Sequence, residues 1–363
     1  MRDSGWVLVA GGGNGQNKTT LATVRCVAAA GYRPAVVVAS PQSLAASSRY
    51  CARLVRTPSV SSPEYREAVQ AELAAGGYLA VLPTSDEALR ALGPPMEYLL
   101  DKRLLETCAR AYGLPAPPTQ VFESATALRD NAYTLTYPIV VKPTTKRYEA
   151  RRIDASRELT QPLPDDGPVL VQPYLSGSLI AVGGVVWRGR LIASVHQRYL
   201  RTWPVACGGA SFAVTIAPDL ELENRLVRLL AGYEGVFMAQ LADGYLLDMN
   251  PRVYGSMPLA AKAGANLPGV YCDLLAGRGP AHEPLRARPS VYYRWLEGDL
   301  KHAAHTFNHG QTGLIATLAS LRPRLGAAHG PESLRDPGPM LMRLRYLAQK
   351  YSNPSSQMSA PTT

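Results

Sequence analysis

Three short apolar runs open the chain: Trp6-Val7-Leu8-Val9-Ala10, Ala35-Val36-Val37-Val38-Ala39 and Tyr78-Leu79-Ala80-Val81-Leu82-Pro83. Runs of this length without polar alternation suit strands covered on both faces. Helical patterns separate them, the first from Thr19 to Ala30 with a stop at Gly31. That alternation restricts the opening segment to a small parallel sheet with right-handed crossovers. Gly93-Pro94-Pro95 punctuates its end.

A helical segment from Glu97 to Tyr112 follows, capped by Gly113 and closed by Pro115 and Pro117. The middle of the chain is strand-rich. Pro138 to Pro143 and Pro168 to Pro173 read as strands, and Leu179 to Trp187 and Leu191 to Gln197 as a hairpin around Arg188-Gly189-Arg190. Leu220 to Tyr233 is helical in period, and Val236 to Leu241 with Tyr245 to Met249 form a second hairpin around Asp243-Gly244. Residues 257–276 read as helix with a break at Pro268, and Pro339 to Lys350 as a short amphipathic helix. The stretch after Gly277 is irregular, the end from Ser352 has no apolar pattern, and no internal repeat is present.

Composition narrows the function. At roughly 100–200 residues per domain, the chain holds two or three domains. Apolar residues are 46% and charged residues 18% of 363, which excludes wholesale disorder. No apolar run reaches the ~18 residues of a membrane span, and the start lacks a signal peptide's apolar segment, so a soluble cytoplasmic protein is expected. The net charge is +10, yet the basic residues are scattered and 31 of the 38 are Arg. Nucleic acid and membrane are therefore not expected as partners; anionic small molecules are. Five widely spaced Cys without a CxxC pair support neither a disulfide framework nor a zinc ribbon.

Gly12 to Thr19 approaches the phosphate-binding pattern GxxxxGK[ST], with Lys18-Thr19 in place but Asn17 where the second Gly belongs. No downstream acidic strand for Mg²⁺ accompanies it. A Gly-rich strand-to-helix turn is the simpler reading. A P-loop kinase using Lys18 is the alternative.

The strongest chemical signal lies between 236 and 256. Asp248 and Asn250 share a strand face, because side chains alternate. Gln240 joins them only if the hairpin loop has odd length. A three-residue loop, Ala242-Asp243-Gly244 with Gly244 left-handed, is therefore expected. Three oxygen donors on one face suit Mg²⁺. Arg252 follows and could hold a phosphate. The same residues also read as a solvated hairpin face.

Asp248-Met249-Asn250-Pro251-Arg252 resembles the metal-binding motif of the ATP-grasp superfamily, usually Glu-x-Asn-Pro-Arg. Asp101-Lys102, Gly113-Leu114-Pro115, Tyr137 to Pro143 and Gln172-Pro173-Tyr174-Leu175-Ser176-Gly177 are similar to that family's segments in order and spacing. Pro83-Thr84-Ser85-Asp86-Glu87 resembles part of its preceding Rossmann-like domain. Carboxylate–amine ligases and the carbamoyl phosphate synthetase large subunit are the relatives this resemblance names, over residues 5 to 277. The fold class it implies is α/β and α+β: an ATP-grasp fold preceded by a small Rossmann-like parallel-sheet domain. The implied divisions are 1–96 for that first domain, 97–280 for the ATP clamp with its hinge near 172–177, 281–350 as a segment of unknown role, and 351–363 as a disordered tail.

By the same resemblance, Lys102 and Lys142 contact ATP phosphates, and Gln172, Pro173 and Leu175 read the adenine. Gln240, Asp248 and Asn250 hold Mg²⁺, and Arg252 steadies an acyl phosphate. Arg252 and Lys142 are the implied catalytic pair. The segment from His196 to Arg201, with Gly208, Gly209 and Ser256, lines the substrate cleft; Arg198 and Arg201 grip a carboxylate. The implied reaction is carboxylate attack on the γ-phosphate, giving ADP and an acyl phosphate that an amine displaces. Its partners are a small carboxylic acid and an amine, amino acids among them, and a homodimer is compatible with it.

Two departures from the family pattern stand out. The loop from Thr144 to Arg152 lacks Gly and carries Lys146, Arg147, Arg151 and Arg152. Leu179 stands where relatives often place a ribose-binding Glu. Both favour the alternative of a non-catalytic ATP-binding or scaffold protein. His302, His305 and His309 share a helical face without a flanking ligand, so a solvated face is expected there. Tyr292, Tyr293, Trp295 and Trp203 read as core or interface aromatics.

Overall fold

The computed structural model describes residues 5–11, 13, 15–93, 96–144, 148–163, 166–279 and 282–352. The first unit contains β1 (Trp6–Ala10), α1 (Lys18–Ala29), β2 (Arg33–Val38), β3 (Arg53–Arg56), α2 (Glu64–Ala75), β4 (Tyr78–Pro83) and α3 (Asp86–Leu92). Its strands run parallel in the order β3-β2-β1-β4. The unbroken apolar runs have the expected cause. Val9 packs with α1 residues and Leu8 and Ala10 with Tyr65 and Val69 of α2, so both faces of β1 are covered. The strand β3 escaped the apolar pattern because it is an edge strand, where only Val55 is buried between arginines.

The helix expected from Glu97 to Tyr112 is two pieces. A single 3₁₀ turn, Glu97–Leu99, precedes α4 (Lys102–Ala111). Asp101 restarts the helix: its carboxylate accepts the Arg103 amide at 2.9 Å as N-cap. A small antiparallel sheet follows, built from β5 (Gln120–Phe122), β6 (Ile139–Pro143), β7 (Arg151–Ile153) and β8 (Val169–Pro173), with α5 (Ala125–Asp130) beside it. Its order is β5-β8-β6-β7.

The large sheet starts with β9 (Leu179–Trp187), β10 (Arg190–Trp203) and β11 (Gly209–Ile216), continues after α6 (Leu220–Leu229) with β12 (Gly235–Ala242) and β13 (Tyr245–Asn250), and is followed by α7 (Met257–Lys262) and α8 (Leu267–Leu275). The helix break expected at Pro268 falls earlier, at residues 263–266. Pro268 lies in the first turn of α8, where a missing N–H leaves no intrahelical bond unmade.

Residues past 281 are more regular than their composition implied. They supply β14 (Leu285–Arg286), β15 (Tyr292–Arg294), α9 (Leu296–Asn308), α10 (Leu314–Ser320), β16 (Ala328–His329) and α11 (Gly338–Ser352). The large sheet has the order β13-β12-β9-β10-β11-β15-β16, with β14 against β10. The segment of unknown role thus completes that sheet. The helix expected at Pro339 to Lys350 is α11, and the expected tail lies, beyond residue 352, outside the described residues. None of the helices among the described residues is long and apolar enough to cross a membrane.

The C-terminal segment is also tied to the first unit. Asp336, 1% exposed, accepts from Arg25 Nε at 2.9 Å, Ser48 Oγ at 2.7 Å and the Arg49 amide at 2.9 Å. Asp336→Ala leaves these donors and the mostly buried Arg25 charge uncompensated. A loss of about 3–5 kcal/mol in urea unfolding is expected, and a loss under 1 kcal/mol would mean that the anchor is dispensable.

Candidate functional site

The hairpin that carries Gln240, Asp248 and Asn250 reaches the expected parity by a different route. Its turn has two residues, not three: Ala242 pairs with Tyr245, and Asp243 and Gly244 have φ of 49° and 80°. The odd residue sits within β13 instead. Gln240 pairs with Asp248 but Leu241 pairs with Leu246, so Leu247 is a β-bulge. Gln240 and Asp248 therefore stand opposite each other on one face, with Asn250 two residues on. Ala181 and Gln197 extend that row across β9 and β10.

The bulge has a second consequence. Lys142, from β6 of the small sheet, donates from Nζ to the Leu247 carbonyl at 2.9 Å. Lys102 opens α4 and pairs through Nζ with Asp248 Oδ1. Two lysines from separate elements thus converge on one strand of the large sheet. Burial lowers the Lys142 amine to about 8; the Lys102 charge adds to this, and Asp248 and Cys207 oppose it. Gln240, Asp248 and Asn250 are hard oxygen donors with a single carboxylate. Among the described residues no cluster of three His, Cys, Asp or Glu forms. The set fits Mg²⁺ only if phosphate oxygens complete its shell.

Arg252 does not project into the cleft as expected. It is 8% exposed, with Nε on Asp86 Oδ1 at 2.5 Å, Nη1 on the Val253 carbonyl at 3.0 Å and Nη2 on Asn250 Oδ1 at 2.7 Å. Asn250 Nδ2 in turn donates to Asp248 Oδ2 at 3.3 Å. Arg252 ties Asp86, at the start of α3, to Asn250 in the row of oxygen donors. Burial opposes ionisation of Asp86, but the Arg252 and Lys102 charges outweigh it and hold the carboxyl below its ordinary value.

The residues expected to read the adenine lie at the end of β8 and just after it. Buried Gln172 donates from Nε2 to Thr119 Oγ1 at 2.7 Å, a bond that uses the donor end of the amide. Pro173 is exposed and Leu175 half-buried. Asp243, in the hairpin turn, accepts the Gly177 amide at 3.0 Å, so the hinge leans on that turn. A Cβ on Gly177 would fall inside the Asp243 carboxylate, so any other residue there would displace that side chain from the Gly177 amide. Lys146 and Arg147 lie outside the described residues. Arg151 is held by Gln161 Oε1 at 2.6 Å, and Arg152 pairs with Asp154 at 2.6 Å while its guanidinium lies 4.1 Å from the Tyr174 ring centre.

Two substrate residues require correction. Arg198 alternates with Gln197 and faces the opposite side of the sheet from the donor row. Arg201 makes a bidentate pair with buried Asp299, at 2.5 and 2.9 Å, and donates to the Ser320 carbonyl. Asp299 also takes Arg294 at 3.1 Å. Neither arginine is placed to grip a substrate carboxylate. Gly208 shapes the turn between β10 and β11 through its amide on the Pro204 carbonyl, and Gly209 opens β11. Ser256 accepts Gln197 Nε2 at 3.0 Å, whereas Gln197 Oε1 is buried without a partner among the described residues. Gln197 and Asp86 are the site residues least visible beforehand. Both lay within segments singled out beforehand, His196 to Arg201 and Pro83 to Glu87, but neither had a role of its own there.

Lys18 does not cradle a phosphate. Asn17 caps α1 by accepting the Thr19 amide at 2.8 Å, and Lys18 Nζ lies over the Trp295 ring. The hollow beside Gly13 and Gly15 measures about 20 Å³, room for one water. His302 bonds the Thr202 carbonyl at 2.9 Å, and His305 stacks on His309, so the trio shares no ligand.

Replacing Arg252 by Met leaves Asp86 buried without its cation and Asn250 without its orienting donor. Urea unfolding should show a loss of about 3–5 kcal/mol. Asp86→Asn, which keeps a hydrogen-bonding group, should lose less; equal losses would mean that the uncompensated Asp86 charge adds little to the cost.

The sequence profile of the family described as "ATP-grasp in the biosynthetic pathway with Ter operon" matches residues 165–299. No curated protein matches the chain by sequence. Similar solved structures include a carboxyaminoimidazole ribonucleotide synthase from Aspergillus clavatus complexed with ATP, at 17% identity and TM-score 0.61, covering 80% of this chain and 82% of that one. An L-amino acid ligase from Bacillus licheniformis matches at 15% identity and TM-score 0.54, covering 80% and 79%. A biotin carboxylase from Campylobacter jejuni matches at 15% and 0.57, covering 78% and 74%. With its parallel-sheet first unit, its small antiparallel sheet and its large sheet bearing the donor row, the chain has the ATP-grasp fold.

Proposed function

We propose that this protein is an ATP-dependent ligase that activates a carboxylate as an acyl phosphate for attack by an amine. The convergence of Lys142 and Lys102 on the strand bearing Asp248 and Asn250, opposite Gln240, is the observation that carries the reading. In it, Lys142 and Lys102 bind the ATP phosphates, and Gln172, Pro173 and Leu175 contact the adenine. Gln240, Asp248 and Asn250 hold Mg²⁺, which when bound neutralises charge on the phosphate oxygens. Lys102 exchanges Asp248 for a phosphate as nucleotide enters. Arg252 keeps Asn250 oriented throughout. The carboxylate oxygen bonds the γ-phosphorus as ADP leaves. The amine then bonds the acyl carbon, inorganic phosphate leaves, and the nitrogen loses a proton. Catalysis of this kind rests on positioning and charge rather than on a base.

The similar structures bound to ATP, or to MgADP in a 2-oxoglutarate carboxylase domain, support the cofactor assignment. A second reading, a nucleotide-binding protein without turnover, draws support from the Lys102–Asp248 pair, in which groups needed for turnover neutralise each other.

Incubation with ATP, Mg²⁺ and pooled amino acids and small carboxylic acids should release ADP and phosphate only when acid is present. Lys142→Met should reduce that release by about 10²-fold or more. AMP formation would overturn the acyl-phosphate step, and nucleotide binding with no ADP formed would select the second reading. The Lys142 amine, held at about 8 by burial, adds a pH signature. ATP affinity should begin to fall as pH rises past about 8, where the free protein loses that proton, and the Lys142→Met variant should lack this step.

A further inference from the structure

The first turn of α1 brings Lys18 Nζ to 2.8 Å from the centre of the Trp295 ring. Trp295 is 9% exposed, and its indole Nε1 has no hydrogen-bond partner among the described residues. Burial pulls the Lys18 amine down to about 7. Glu297 of α9, Glu332 after β16 and Glu149 after β6 oppose that shift, and Arg343 of α11 adds to it. Glu297 is already neutralised, by Arg343 at 2.8 Å and Lys301 at 2.7 Å. Glu332 has no such ion pair at hydrogen-bond distance among the described residues: Oε1 accepts the Glu297 amide at 3.4 Å, and Oε2 is buried without a hydrogen-bond donor there. Beside Gly330, the point where a Cβ would stand is 3.4 Å from Glu332 Oε2, 3.3 Å from Tyr293 OH and 3.5 Å from Trp295 Cβ. The Glu332 carboxylate, the Tyr293 phenol and the base of the Trp295 side chain thus surround one point beside Gly330.

This socket adjoins the donor row. Trp295 and Tyr293 pack with Tyr199 and Ala213 on the face that carries Gln197, Ala181 and Gln240. Thr19, next to Lys18, lies against Gly255, where a Cβ would be 3.5 Å from its Oγ1; the neighbouring Ser256 holds Gln197. An indole face attracts an ammonium. A buried carboxylate oxygen without a donor is costly until one arrives. The chain fills the aromatic half of this socket with its own amine and leaves Glu332 Oε2 without a hydrogen-bond donor among the described residues.

We propose that the Trp295–Glu332 socket binds the primary ammonium group of the acceptor substrate, which takes the place of Lys18 over the indole and pairs with Glu332 Oε2. This deepens the ligase reading and rests on it, since only a ligase has an acceptor. Binding to the socket itself is measured without ATP.

The probes are ethylamine, putrescine, glycine and L-alanine, with ethanol as the uncharged counterpart of ethylamine. Emission of Trp295 is obtained as the difference between the full-length protein and its Trp295→Phe variant. At least one ammonium probe should change that emission while ethanol does not. Glu332→Gln should weaken the response by about tenfold or more. Lys18→Met, which removes the internal occupant, should strengthen it by about tenfold. These opposite signs separate a binding role from a shared loss of structure, and thermal melting checks that both variants fold. The proposal is overturned if no ammonium probe changes the emission, if Glu332→Gln binds as the wild type does, or if Lys18→Met binds more weakly. Amine binding with these signs but no ATP turnover would leave the socket standing and remove the ligase reading.

Discussion

The buried ion pair between Asp86 and Arg252 is the interaction on which the site depends. Asp86 begins a helix of the first unit and Arg252 follows β13 of the large sheet, so the pair joins two parts of the chain that fold around separate sheets. Burying two charges is costly unless hydrogen bonds complete their geometry. Here they do: the guanidinium also bonds the Val253 carbonyl and Asn250, and Asn250 reaches Asp248. Asp248 then pairs with Lys102. A continuous polar chain therefore runs from the first sheet to the cleft, and each member is held by the next. In the proposed reading, Asn250 and Asp248 are oriented before a nucleotide arrives, which lowers the ordering cost of binding.

A single inserted residue sets the chemistry of the hairpin. Without the bulge at Leu247, a two-residue turn would put Gln240 and Asp248 on opposite faces. With it they share a face, and the carbonyl of the bulged residue meets Lys142 from the small sheet. The same irregularity aligns the donor row and gives the small and large sheets a contact. Sheet parity also explains which arginines are structural. Arg198 falls on the far face, and Arg201 is drawn into the Asp299 pair beneath α9, where the carboxylate is fully buried and two guanidinium groups satisfy it.

The residues after 281 show how a segment of unremarkable composition becomes part of a site. Strands of two or three residues cannot be recognised by apolar periodicity, since two positions carry no period. Yet β14, β15 and β16 each pair with the sheet, and the last two bring Trp295 and Glu332 to the start of α1. Asp336 fixes this arrangement by accepting donors from α1 and from the loop before β3.

Much of the fold was legible in the residues themselves. The apolar runs of β1, β2 and β4 required a buried parallel sheet, the Asp243-Gly244 pair required a turn, and the spacing of Lys102, Lys142, Asp248 and Asn250 carried the resemblance to ATP-grasp proteins. Those features are local: they depend on backbone preference, on solvent exclusion along one strand, or on order along the chain. The site roles were legible only in part. Lys142, Lys102 and the donor row come together in space, whereas Arg252 and Arg201 are held by buried carboxylates and Lys18 by an indole ring. Their partners lie far off in the chain: Asp299 is 98 residues from Arg201, Asp86 is 166 from Arg252, and Lys18 meets the Trp295 ring. The sequence by itself determined which elements form and which residue types the cleft could use. Tertiary structure alone decided which charges are neutralised, because a Coulombic partner is chosen by distance in space and by burial, neither of which is written in the order of the chain.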